Sequence, residues 1–144
     1  MKRFVKSIFS IVFVCGIIFN LLGTSASARS SEYLHGYSVM ITPKSNGKLV
    51  ISLDVTGVGN MTKIGAKSIS IYESTNREDF YWVKTYTSSE YPEMMGSGMT
   101  FYEDVLTHQG TAGRYYYATA CIYAGNSNGG DERYCDSSIK QAKS

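Results

Sequence analysis

Few side chains in this sequence combine a reactive type with a useful spacing. Two histidines, His35 and His108, lie far apart along the chain. His108 follows Asp104 closely, and a serine brought to that pair would complete the Ser/His/acid arrangement of a hydrolase. A simpler reading makes His108 a polar residue at a strand end, before the Gln109-Gly110 turn. Glu103 and Asp104 are adjacent, so on a strand they point to opposite faces and cannot share acid/base work. Gly-x-Ser-x-Gly, His-Glu-x-x-His, phosphate-loop and dinucleotide-binding patterns do not occur. The chain is therefore expected not to be an enzyme, with a small hydrolase as the reading that His108 would carry.

Two other groups of residues carry ligand chemistry. Asn126-Ser-Asn-Gly-Gly-Asp131-Glu132 is rich in oxygen donors, as a calcium loop is. Calcium takes about six to eight oxygens with several carboxylates converging, and only Asp131 and Glu132 are near. Asn and Gly are also the residues a hairpin turn needs, which is the expectation here. Met94, Met95 and Met99 offer thioethers suited to Cu(I), with His108 as a further donor. Methionine is equally an adaptable filler for the open side of a core, so neither metal nor cofactor is expected.

The compartment follows from the start of the chain. Met1–Lys6 is a short positive segment, Ser7 to Leu22 an apolar run, and Ala26-Ser-Ala28 a small-residue cleavage site. This is the layout of a secretory signal peptide over residues 1–28, cut after Ala28. Cys15 sits inside the apolar run rather than at a lipidation site, and no second anchor is expected. Lys2, Arg3 and Lys6 leave with the leader, so 11 of the 14 Lys/Arg remain against 12 Asp/Glu, a net charge of −1 for residues 29–144. That balance gives no electrostatic case for nucleic acid or an anionic membrane. The mature chain is expected to be secreted and extracellular, and to make no membrane contact.

Removing Cys15 leaves Cys121 and Cys135 in an oxidising setting, where an even count favours a disulfide. Such a bridge, closing 13 intervening residues, would stabilise by roughly 3 kcal/mol. If the two sit opposite one another on antiparallel strands, Tyr123 faces Arg133, Thr119 faces Ser137 and Tyr117 faces Ile139. The turn then falls at Asn126–Gly130. Tyr116, Ala118, Ala120, Ile122 and Ala124 point inward, and Tyr117, Thr119, Cys121 and Tyr123 outward. Asp136 fits this register badly, because it falls on the inner side, so the last strand is expected to bend or end there.

The elements that must position these residues are strands. Leu49, Ile51, Leu53 and Val55 alternate with polar neighbours, as do Val39 and Ile41, and Ile69 and Ile71. Further runs at Phe80–Tyr86, Thr100–Leu106, Arg114–Ala124 and Arg133–Ile139 bring the count to about seven short strands, separated by Gly and Asn breakers. That spacing predicts an all-β antiparallel sandwich forming a single domain over residues 29–144. Met61–Gly65 has the composition of a single helical turn, and no long helix is expected.

The tyrosines stand out: 12 Tyr and one Trp lie after residue 28, against only Phe80 and Phe101. Rings with a polar tip suit half-exposed strand positions. Tyr117, Tyr123 and Tyr72 face outward on this reading, and Trp82 joins them if its strand follows. Neighbouring strands would gather them into an aromatic platform for a glycan or protein partner. Strand propensity and cross-strand packing on a solvated face account for the same residues without a ligand.

Gly113-Arg-Tyr-Tyr116-Tyr-Ala118-Thr-Ala120, running on to Asn126 and Gly129, resembles the penultimate strand of fibronectin type III and immunoglobulin-like sandwiches. The resemblance implies that Tyr116 is the corner tyrosine and Gly113 its turn glycine. Met61–Ala66, Ile69–Glu73, Trp82–Tyr86, Tyr91–Met95 and Gly110–Gly113 also resemble small exported proteins of Gram-positive bacteria (Firmicutes), which are uncharacterised. That likeness spans roughly residues 45–140 and implies fold and export, not an activity. The expected function is an extracellular binding or adhesion module for an unknown protein or glycan. The alternative is a structural, envelope-associated secreted protein without a high-affinity ligand.

Overall fold

The computed structural model describes residues 31–144; the expected signal peptide, with its cut after Ala28, lies outside them. The described chain runs through β1 (Leu34–Pro43), β2 (Lys48–Met61), β3 (Lys63–Ser74), β4 (Tyr81–Thr87), a 3-10 turn at Pro92–Met94, β5 (Met95–Gly96), β6 (Met99–Gln109), β7 (Tyr115–Asn126), β8 (Gly129–Asp136) and β9 (Lys140–Gln141). One sheet has the order β1-β2-β6, the other β4-β3-β7-β8, and every pairing is antiparallel. Short β5 and β9 pair with β3 and β7 beyond the ends of β4 and β8. The seven long strands thus form the expected sandwich, three against four, and no helix among the described residues is long and apolar enough to cross a membrane.

The alternation read in the sequence becomes the core. Leu49, Ile51, Leu53 and Val55 on β2 have at most 1 % of their surface exposed, while Val50, Ser52 and Asp54 between them are half-buried. They face Ile69, Ile71, Ala118, Ala120 and Ile122 of the second sheet within one cluster. Alanines on β7 leave room for the branched side chains of β2, which lets the two faces interdigitate. Each large side chain buried this way contributes about 1.5–3 kcal/mol. Met94 has no exposed surface and fills the core from the 3-10 turn, as a filler methionine would.

Two expectations need correction. Met61–Gly65 is not a helical turn: β2 ends at Met61 and β3 begins at Lys63, so the chain passes between sheets at Thr62. Met61 and Ile64 are both buried on crossing, Met61 as the last residue of β2 and Ile64 near the start of β3.

The second correction concerns the cysteines, which are both free thiols. β7 and β8 pair one residue away from the expected register: Cys121 lies opposite Tyr134, and Cys135 opposite Ala120. A one-residue slip exchanges every side chain between faces, so the thiols point to opposite sides of the sheet. The connection is shorter than the sequence suggested, with Asn126 paired to Gly129 and only Ser127 and Asn128 between them. This register carries Asp136 outward, where Thr119 donates a hydrogen bond to it at 2.6 Å, and turns Cys135 toward the core. β8 does end at Asp136.

Candidate functional site

A row of aromatic rings crosses the outer face of the four-stranded sheet. Tyr72 of β3 is paired with Trp82 of β4 on one side and Tyr117 of β7 on the other. The Tyr72 and Tyr117 rings stack with centroids 4.8 Å apart and planes within 7°, and Phe80 meets Tyr117 edge-on at 4.9 Å. Trp82 is 60 % exposed, and its indole N–H donates to Thr85 Oγ1 at 2.9 Å, which pins the ring over the sheet.

A bulge makes this row possible. Ile71 pairs with Lys84 but Tyr72 pairs with Trp82, so Val83 is an extra residue in β4. Without it Trp82 would stand opposite Glu73 and face the other way. Bulges re-aim side chains in this manner.

The next rung of the ladder points inward and holds the row in place. Glu73 is paired with Tyr81 and Tyr116, the residues that precede Trp82 and Tyr117. Its carboxylate accepts hydrogen bonds from the Tyr81 hydroxyl, the Tyr116 hydroxyl and the Arg114 guanidinium. Burial alone would raise the pKa of Glu73, but these three donors outweigh it and keep the carboxyl below its usual range. Tyr116 also accepts the Thr111 backbone N–H at 2.7 Å, the bond back to nearby backbone expected of a corner tyrosine. Gly113 takes φ +84 in the turn before it, a conformation suited to glycine. A Cβ on Gly110 would come 2.8 Å from Tyr116 Cζ, so the ring needs glycine there too.

His108 belongs to this buried corner. It is 7 % exposed, its Nδ1 shares a 3.0 Å hydrogen bond with the Tyr86 hydroxyl, and its ring meets Tyr116 edge-on. Burial holds its pKa below the ordinary histidine value, with Glu73 opposing and Lys84 reinforcing the shift. Asp104 is four residues along the same strand, about 13 Å away, and its carboxylate accepts the Val105 N–H. Glu103 and Asp104 face opposite sides of β6, Glu103 exposed and Asp104 half-buried.

Further along the outer face come a hydroxyl row and then Tyr123. Ser70 bonds Thr85 at 2.8 Å, and Thr119 is paired with Ser70 and Asp136. Tyr123 is six residues beyond Tyr117 on β7, about 20 Å away, so it shares the face but not the aromatic row. Lys67, the extra residue of a second bulge between Ala66 and Ser68, lies over the Tyr123 ring at 4.5 Å and forms an ion pair with Glu132.

The candidate metal donors have other partners. Asp131 accepts hydrogen bonds from Ser31 Oγ at 2.5 Å and from the Glu32 and Tyr33 N–H groups, tying down the chain before β1. Glu132, on the opposite face, is held by Lys67. Met94 is buried and Met99 packs against the core, whereas His108 lies nine residues from Met99, about 30 Å along β6.

Glu73, Phe80, Thr85, Lys63 and Lys67 are site residues that sequence reasoning did not single out. The polar/apolar alternation on β3 marks Glu73 as inward, but its partners arrive from β4 and β7 and carry no local signal. Compared with models of known protein families and with curated proteins, the chain matches none.

Proposed function

We propose that the protein is a secreted, non-catalytic binding module that holds a glycan or protein partner on the outer face of its four-stranded sheet. The leader over residues 1–28 supports export. The single observation that carries the binding reading is the register-matched row Trp82–Tyr72–Tyr117, flanked by the Thr85–Ser70–Thr119 hydroxyls. Flat rings beside fixed hydroxyls suit a sugar, whose C–H face packs on aromatic carbon while its rim exchanges hydrogen bonds. A rigid sheet presents them without the ordering cost a loop would incur. The test is an array of cell-wall glycans and extracellular glycoproteins, probed with the parent protein and with Trp82→Ala and Tyr117→Ala. Loss of a hit in both variants, with folding retained, supports the reading, and unchanged binding removes it.

A second reading is a structural, envelope-associated secreted protein. The Tyr72–Tyr117 stack favours it, since each ring covers one face of the other. An array with no hit above background decides for it.

A further inference from the structure

We propose that the cleft at the far end of this same sheet face is a subsite for a carboxylate-bearing sugar. The cleft encloses about 530 Å³ and lies against Lys63, Lys67, Ser88, Met95, Ser97 and Tyr123. Small-molecule sites commonly enclose about 300–1,000 Å³, so one sugar ring fits. The proposal rests on the glycan form of the reading above and names the chemistry of one end of the ligand.

Charge selects the acid. The lining carries two ammonium groups and no carboxylate. Lys67 is already paired with Glu132, whereas Lys63 is exposed and has no ion-pair partner among the described residues. The site therefore has one uncompensated positive charge, which matches one carboxylate. A phosphate would be better served by guanidinium forks or converging backbone N–H groups, and the cleft has no arginine.

Shape selects the sugar. The Tyr123 ring is fixed from two sides: Lys67 lies over its face, and its hydroxyl rests where a Cβ on Gly125 or Gly130 would come within 2.5 Å. Met95 adds apolar surface, and Ser88 and Ser97 supply hydroxyls at the rim. An apolar wall, a polar rim and one cation suit a polyhydroxylated ring with one acid group. The separation from Tyr117, about 20 Å along β7, lets one extended oligosaccharide touch both the cleft and the aromatic row.

The experiment is an NMR titration of the isotope-labelled mature protein with galacturonic, glucuronic and N-acetylneuraminic acids, and separately with their uncharged methyl esters. Inorganic phosphate and a short acidic peptide serve as further arms. The expected result is movement of the Lys63, Ser97 and Tyr123 resonances with at least one acid and not with its ester. Lys63→Gln should weaken that binding about tenfold, the loss of one charged contact. Trp82→Ala should leave monosaccharide binding in the cleft unchanged, so failure here and failure of the aromatic row are read separately. No movement with any acid at millimolar concentration overturns the proposal. So does equal response to acid and ester, unchanged affinity in Lys63→Gln, or a response confined to phosphate or peptide.

Discussion

Glu73 shows how one side chain governs the fold and the candidate site together. It is buried, and three donors from β4 and from the Arg114–Tyr116 stretch converge on it. Removing its charge leaves Arg114 with the Tyr81 hydroxyl but no carboxylate and weakens two phenol bonds, so Glu73→Gln should lower stability by about 2–3 kcal/mol in urea unfolding. The pH profile carries the same signature. Glu73 is held below its usual range, so its contribution is present above the unfolded value of about 4.3 and disappears as pH falls through the folded one. His108, buried as the neutral form, has its folded value depressed, so stability begins to fall as pH drops below the unfolded value of about 6.5. Melting temperature followed into acid should decline in two stages, and His108→Gln should remove the first. The cysteines follow from burial as well. Cys121 is 5 % exposed, and burial pushes the Cys135 thiol up to about 11, so little reactive thiolate exists at neutral pH. Both thiols should react with Ellman's reagent only after denaturation; an intact mass two hydrogens short would contradict the register that separates them.

At the level of elements, alternation was legible and pairing was not. Seven strands and their inner faces follow from local pattern, because period-2 burial is written along each strand, whereas the corner role of Tyr116 is implied only by the resemblance of its strand to fibronectin type III and immunoglobulin-like sandwiches. The β7–β8 register was misread by one because an Asn/Gly-rich turn accommodates either two or five residues. The clue lay in Asp136, a carboxylate placed inward by the longer turn and outward by the shorter one. The bulge at Val83 left no trace in composition, yet it turns Trp82 outward. Asp104 on the inner side of edge strand β6 is a charge that discourages pairing with another chain. Packing within the aromatic row separates its members. Tyr117 shares a stack worth about 1 kcal/mol, whereas exposed Trp82 touches little. Tyr117→Ala should therefore lower unfolding free energy by about 1 kcal/mol or more, and Trp82→Ala by no more than about 0.5 kcal/mol.

Over the whole molecule, the two sheets do different work. Both supply branched residues to the core, Leu49 to Val55 from one and Ile64, Ile69, Ile71 and Ile122 from the other, but the four-stranded sheet also presents an organised outer face. On that face alternate rungs have opposite tasks: Tyr81–Glu73–Tyr116 locks three strands from inside, and Trp82–Tyr72–Tyr117 is displayed outside. Composition could suggest a tyrosine-rich surface but could not place Tyr123 apart from the row, because separation along a face depends on strand length and bulges. The molecule contains a single tryptophan, and it lies in the row. Its intrinsic fluorescence is therefore a direct reporter of whether ligand is held there. Titration with a glycan or glycoprotein that the protein captures should shift or quench Trp82 emission with the same midpoint as binding measured by calorimetry. Saturable binding that leaves the emission unchanged would place the ligand elsewhere and contradict the account.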